Sequence, residues 1–328
     1  DRTNGTNTGT RQMSDLELTL ACGDYELTRP LVEGTIKPEG ITFVSDTRYG
    51  AKERHWAMVK HNAYDICEFN APAYFMARDR GYPWTALPVF AHRRFRHGFI
   101  FVNPQCGIRA PKDLIGKRVG GTNFQPAGNV FMRGVLEEEY GVPHDSITWM
   151  TERGEDIDFE PHSGLRIERI GPGQSLDEML LKGEIDGRLE PEYPAPFLAG
   201  DPRCVQLFAD PKPVEIDYFK RTGIFPIMHV TVVKREVVDK HPWVVASLMA
   251  AFENAKAMAM ARADNPRVNP LAFWSNAWFE QQRLMGPDPW TYGLGPQNRK
   301  TLDKAIEYTH MQGLISRRWS VEELFSEK

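Results

Sequence analysis

The chain has 328 residues, enough for about two domains, and its 41% hydrophobic and 26% charged residues are ordinary for a globular protein with a core. A formal charge of −4, with no basic helix and no aromatic–basic motif, argues against nucleic acid as a partner, and the apolar stretches read as too short for a membrane partner. Four scattered cysteines, Cys22, Cys67, Cys106 and Cys204, form no C-x-x-C pair and read as buried thiols rather than a disulfide frame or zinc site.

Residues 1–12 contain no apolar side chain, so they cannot contribute to a core and read as a disordered extension outside the fold. With no leader pattern visible, the reading leans to the cytoplasm, or to the periplasm if such a segment has been removed. Leu16–Ala21, Ile41–Val44 and Tyr64–Phe69 read as strands, and Gly50–His61 and Ala73–Arg80 as helices. This alternation predicts an α/β fold with parallel pairs, in which ligands sit beyond the carboxyl ends of the strands. Asp24–Arg29, Glu68–Asn70 and His92–His97 all fall at such ends.

Pro88–Phe101 reads P-V-F-A-H-R-R-F-R-H-G-F-I-F, an apolar strand interrupted by His92, Arg93, Arg94, Arg96 and His97. Burying unpaired charge costs several kcal/mol, so these groups face water or an anion. Either they form a solvated edge paired with Asp and Glu, or Arg holds carboxylates there while His moves protons. Strand alternation puts His92, Arg94 and Arg96 on one face and Arg93, Phe95 and His97 on the other.

A new βα unit begins over Ala110–Gly121, and the Gly-rich turn Gly120–Asn129 leads into a helix over Val130–Tyr140. Its free N–H groups suit an anion, or the turn is merely a connection; it matches neither the Walker loop nor the dinucleotide fingerprint. Further on, the sequence predicts a strand over Ile147–Glu152, an acidic irregular excursion over Gly154–Ile170, a helix over Ser175–Lys182 and a turn into a strand over Gly183–Leu189. Three prolines in Pro191–Pro196 forbid a helix there. A strand over Val205–Phe208, a rigid Pro211-Lys212-Pro213 link and a β-prone run over Gly223–Val233 follow. Helices over Trp243–Ala263, Pro270–Phe279, Gln297–Gln312 and Val321–Phe325 close the chain. Phe101–Pro104 and Phe225–Thr231 read as crossings between two lobes, one of residues 13–103 plus 228–328 and the other of residues 104–227 inserted between them.

The runs L-T-L-A-C-G-D-Y-x-x-T-R-P-L, Y-D-I-C-E-F-N-A-P-A-Y, P-V-F-A-H-R-R-F-R-H-G-F-I-F-V-N and A-P-K-D-L-I-G-K-R-V-G resemble those of the 4,5-dihydroxyphthalate decarboxylases, over essentially the whole chain from Leu16. The last run is generic to the wider binding-protein superfamily; the H-R-R-F-R-H cluster and the D-Y-x-x-T-R turn are more specific. Glu26-Leu27 stand where the family turn has Asp-Arg, a departure that bears on the substrate. The resemblance implies a two-lobed type II periplasmic-binding-protein-like α/β fold, with mixed sheets, flanking helices and a cleft between the lobes. It implies a cofactor-independent decarboxylase of a hydroxylated aromatic (di)carboxylic acid, acting by ipso protonation and then CO2 loss. That route asks for an acid near the ring carbon, an acceptor near the hydroxyl, and cations on the retained carboxylate.

On that reading His92 is the first choice of proton donor and His229 the second, although a lone strand histidine is as readily a core residue. Asp24 or Glu68 would accept a phenol proton. Arg29, Arg93 and Arg96 would hold carboxylates, with Asn70, Thr122, Asn123 and Gln125 as neutral donors. Glu190 and Glu192, in an acidic Pro-rich loop, are weaker candidates, and His55 and His61 read as surface residues. No organic cofactor is expected, nor is a metal required by the spacing. His92, His229 and Glu68 would form a set of two imidazoles and one carboxylate, suited to a metal, only if they converge. The alternative is a non-enzymatic solute-binding protein that delivers an aromatic acid to a transporter. Trp274, Trp278, Phe279, Leu284 and Met285 read either as a homo-oligomer contact or as intramolecular packing.

Overall fold

The computed structural model describes residues 15–326, so the reading of residues 1–12 lies outside the described residues. The chain begins with β1 (Leu16–Ala21), α1 (Arg29–Val32), β2 (Ile41–Asp46), α2 (Ala51–His61), β3 (Ile66–Asn70), α3 (Ala71–Asp79) and β4 (Trp84–Leu87). A second group follows: β5 (Ile100–Val102), β6 (Arg118–Gly121), α4 (Ala127–Tyr140), β7 (Thr148–Thr151), β8 (Arg166–Arg169), α5 (Leu176–Lys182), β9 (Gly187–Leu189), α6 (Ala195–Leu198), β10 (Val205–Gln206) and α7 (Pro211–Thr222). The chain then returns through β11 (His229–Lys234) and ends in α8 (Arg235–Lys240), α9 (Val244–Ala263), α10 (Trp274–Met285), α11 (Pro296–Met311) and α12 (Val321–Leu324).

Two mixed sheets result. The first has the order β2-β1-β3-β11-β4, with β1 parallel to both β2 and β3, and β11 antiparallel to β3 and β4. Its central strands β3 and β11 are buried on both faces, which is why they read as nearly continuous apolar runs. The second sheet has the order β10-β5-β9-β6-β7-β8. One hydrophobic core runs from Leu20, Ile66 and Phe69 in the first lobe to Val119, Phe131 and Trp149 in the second, so the lobes share an interior. By length and composition alone α9 could cross a membrane; here its Leu248, Phe252 and Ala255 lie in that core.

Several expectations change. Residues 88–99 are not a strand, and only Ile100 onward is. Residues 88–99 are the first crossing between the lobes, lying antiparallel to residues 226–228 through Arg94 N–H to the Pro226 carbonyl (3.1 Å) and Met228 N–H to the His92 carbonyl (3.0 Å). The reason is the charge itself: a linker can present alternate residues to a cleft without burying a cation in a sheet. The crossing therefore precedes the expected Phe101–Pro104, and β5 belongs to the second sheet, paired with β9 and β10. Within the expected second crossing, Phe225–Thr231, only His229 onward is strand. Pro211-Lys212-Pro213 opens α7 instead of forming a link, because Pro suits the first helical turn, where no N–H partner is needed. Proline at the same position lets α6 begin inside the Pro-rich stretch. Residues 154–170 are not merely a surface excursion: Asp156 and Ile157 are buried, and the stretch ends in the edge strand β8.

Candidate active site

The parallel strands β1 and β3 end at a cleft of about 880 Å³ walled by both lobes, a size usual for small-molecule sites (~300–1,000 Å³). Glu68 sits in β3, 3% exposed, where every neighbouring strand residue is apolar or buried. Four donors converge on it. Arg54 of α2 and the Gly23 N–H (3.3 Å), just after β1, hold Oε2. Tyr25 Oη (3.0 Å) and His229 Nδ1, at the start of β11, hold Oε1. Burial pushes the Glu68 carboxyl upward, but the charges on His229 and Arg54 override it and hold the group well below the usual carboxylate range. An isolated carboxylate could not ionise at such depth; this one is ionised because its partners are in place.

His92, on the first crossing, stands 3.4 Å from His229 Nδ1 and 3.5 Å from Tyr25 Oη through its own Nδ1. The two imidazole rings meet edge to face, 4.6 Å between centroids. Burial first, then His229 and Arg96, press His92 down to about 2, and the opposing pull of Glu68 does not offset them. His92 is therefore a neutral ring at rest. The Glu68 carboxylate does not hold a proton on it, being committed to Arg54 and His229. Tyr25, held by the same carboxylate, is pushed up by burial and by Glu68 and stays a phenol.

His92, Arg94 and Arg96 all line the cleft, while Arg93 and His97 do not. Arg93 turns away to the Thr291 carbonyl (2.7 Å) and Asn298 Oδ1 (2.5 Å), where it ties the crossing to α11. Arg96 is only 3% exposed. It donates to the Pro191 carbonyl (2.7 Å), lies over Phe99 and makes no ion pair with a carboxylate among the described residues. Burial and the neighbouring Arg94 lower it to about 9, so it remains a cation. Gly128, in the first turn of α4, makes room for it: a Cβ there would fall 2.8 Å from Arg96 Nε. Arg94 is exposed at the cleft and also without an ion pair among the described residues.

Other candidates fall at different places. Asp24 lines the rim of the cleft and is largely exposed, paired with Arg29 at 3.1 Å; Arg29 is not on the cleft wall. Asn70 lines the cleft, caps α3 and reaches across to the Gln125 carbonyl (3.3 Å). Thr122 and Asn123 also line it, but Thr122 Oγ1 donates to Glu190 (3.2 Å) and Asn123 Nδ2 to Glu155 (3.1 Å). Glu155 also takes the Phe124 and Gln125 N–H groups (2.7 and 3.1 Å), so the anion expected at this helix start is the chain's own carboxylate. Gln125 is buried against Ile157, away from the cleft wall.

Arg54, Tyr25 and His55 belong to the site and were missed as functional residues. His55 is 5% exposed rather than on the surface. Its ring bonds to the Glu68 backbone, packs 5.1 Å from the His229 ring and leaves Nε2 without a partner. Burial drives it far below its ordinary value, so it is neutral. Donor atoms of His55, Glu68 and His229 lie within 4.8 Å of one another, the donor set of a divalent-metal centre, with His55 in the position expected of His92. The signal for Glu68 was an acidic residue in an apolar run; none marked His55.

The fold and this cleft define a class: a two-lobed, periplasmic-binding-protein-like α/β protein with a cationic, histidine-containing cleft. The periplasmic aliphatic sulphonate binding protein SsuA of Escherichia coli superposes with a TM-score of 0.57 at 13% identity, over 95% of this chain and 98% of that one. Residues 47–157 match the NMT1/THI5-like family. The 4,5-dihydroxyphthalate decarboxylase of Comamonas testosteroni is 35% identical over 322 residues, covering 95% of this chain and 97% of that protein. A second protein of that name, from Pseudomonas putida, is 32% identical over 63% of this chain and 83% of its own length. The chain belongs to the 4,5-dihydroxyphthalate decarboxylase family, and so to the aromatic-acid decarboxylases, which are carbon–carbon lyases.

Proposed function

We propose that the protein decarboxylates a hydroxylated aromatic diacid of the 4,5-dihydroxyphthalate kind by protonating the ring carbon that carries the departing carboxylate. One observation carries this reading: a buried cation without a carboxylate partner, Arg96, shares a cleft with the Glu68–His229–His92 proton system. Arg96 and Arg94 hold the retained carboxylate. Of the three cleft histidines, His229 is the one whose ring is bonded to a carboxylate, so it delivers the proton to the ring carbon. The sequence-based order, His92 before His229, is thereby reversed. Neutral His92 takes the proton of the ring hydroxyl while the ring is quinoid. Loss of CO2 restores aromaticity, His92 returns its proton to the oxygen, and water reloads His229.

The route uses no organic cofactor. The test is CO2 release from 4,5-dihydroxyphthalate by the purified protein, before and after EDTA. Turnover that survives EDTA and falls by at least about 100-fold in both His229→Gln and His92→Gln is expected. Tight binding of the diacid without CO2 release would place the chain among the solute-binding proteins instead. Activity lost to EDTA and restored by a divalent ion would turn His55, Glu68 and His229 into ligands and end the proton-pair mechanism.

A further inference from the structure

The second-lobe wall of the cleft that Arg96 lines carries several carboxylates. β9 ends at Leu189, and the next residue, Glu190, lines the cleft with Arg188, Asp177 and Thr122. Glu190 is 5% exposed. Arg188 holds its Oε1 through both Nε (3.1 Å) and Nη2 (2.5 Å), and its Nη1 is taken by Asp177. Arg188 is thus neutralised twice and keeps little attraction for a substrate carboxylate. Among the described residues, Glu190 Oε2 accepts only the Thr122 hydroxyl, at 3.2 Å. A carboxylate oxygen has two lone pairs, so Oε2 keeps one acceptor position on a cleft wall. An exposed acceptor would be satisfied by water; a buried one gains most from a donor brought by a ligand. Glu190 is also tied to the anion-holding side, because Arg96 donates to the carbonyl of Pro191, the next residue. Cation and acceptor thus line one cleft, which a ring with carboxylates on one edge and hydroxyls on the other can span.

We propose that Glu190 selects for a hydroxylated ring: its open Oε2 lone pair accepts a hydrogen bond from a ring hydroxyl while Arg96 holds the carboxylate. The assignment rests on the aromatic-diacid reading above and deepens it. A ring without hydroxyls leaves this buried acceptor unpaired, and a carboxylate turned toward it meets like charge. Sites built to bond a substrate hydroxyl reject the analogue that lacks it far more strongly than apolar pockets reject a missing methylene.

The experiment is calorimetric titration of the full chain with 4,5-dihydroxyphthalate and with phthalate, for the wild type, Glu190→Ala and Glu190→Gln. Wild type should favour the dihydroxy acid by about 10- to 100-fold, the worth of one hydrogen bond to a charged acceptor. In Glu190→Ala that preference collapses while phthalate affinity holds; Glu190→Gln, whose amide oxygen still accepts, keeps part of it. If the Ala variant does not fold, a preference in the Gln variant at least about threefold below wild type supports the assignment, and one equal to wild type overturns it. Equal weakening of both acids would mean that Glu190 merely anchors Arg188, and would overturn the assignment while leaving the diacid reading intact. No binding of either acid by the wild type would remove both.

Discussion

A buried guanidinium with neither a carboxylate nor a full set of carbonyl and amide partners gains little stability from its charge. Arg96 is such a group: it gains a backbone carbonyl, the Met228 sulfur and the face of Phe99, none of which offsets a desolvated charge. Replacing a buried ion with an apolar side chain of similar volume is often neutral or stabilising. Arg96→Met is therefore expected to keep or raise the melting temperature while weakening aromatic-diacid binding by at least about 50-fold, the loss of one charge-assisted pair. Thermal denaturation and calorimetry on one sample read both; a lowered melting temperature with affinity intact would make Arg96 a structural residue. Arg96, His92 and Glu68 were legible in the sequence for a common reason: each is a charge or a titratable group where the surroundings are apolar. Arg54 and His55 were not. They lie in Ala51-Lys52-Glu53-Arg54-His55, which reads like any solvated helix face, and their burial comes from β3, an element the local pattern does not mention. Arg93 shows the converse, a cation in the same cluster whose partners, Thr291 and Asn298, lie about two hundred residues away and could not be inferred locally.

At the scale of elements, strands with clean alternation and helices with clear ends were readable: β1 falls where expected, and α2 and α5 within a residue of their expected ends. Elements failed where another part of the chain supplied the deciding partner. The turn before α4 looked like an anion cradle because Glu155, which fills it, comes from a stretch that read as surface. The packing of α4 on α11 was equally hidden, and it sets how the second lobe meets the C-terminal helices. Gly134 is the point of closest approach: a Cβ there would lie 2.2 Å from the Tyr308 ring. The ring is pinned, since its hydroxyl is bonded to Glu138. Alanine in a helix interior normally gains about 1 kcal/mol over glycine, but here overpacking dominates, and Gly134→Ala is expected to cost about 1–3 kcal/mol net. Urea unfolding should show a lower midpoint; an unchanged or raised midpoint would mean that α4 and α11 separate without cost.

At the scale of the whole molecule, the two sheets share one core, so an insult in either lobe is felt as global stability, and the buried histidines make acid such an insult. His97, where the first crossing enters the second lobe, is 2% exposed between Phe208 and Tyr218, with neither ring nitrogen partnered. Burial lowers it to about 4; Glu139 pulls it upward and Arg221 downward, but both are weaker than burial. The unfolded chain takes up this proton below about pH 6.5, whereas the native state refuses it until about pH 4, so more protons are bound when unfolded and stability falls with falling pH across that window. The slope is about 1.4 kcal/mol per pH unit for one such group. His55 and His92 act in the same direction, but they share the Glu68 network, whose depressed carboxyl adds its own loss at lower pH. His97 lies outside that network and isolates the effect. Chemical denaturation at about pH 7 and about pH 5 should show the wild type losing about 2 kcal/mol more than His97→Phe over the interval. Parallel losses in the two proteins would show that His97 takes up its proton in the folded state, and that the acid sensitivity of the fold resides in the cleft histidines alone.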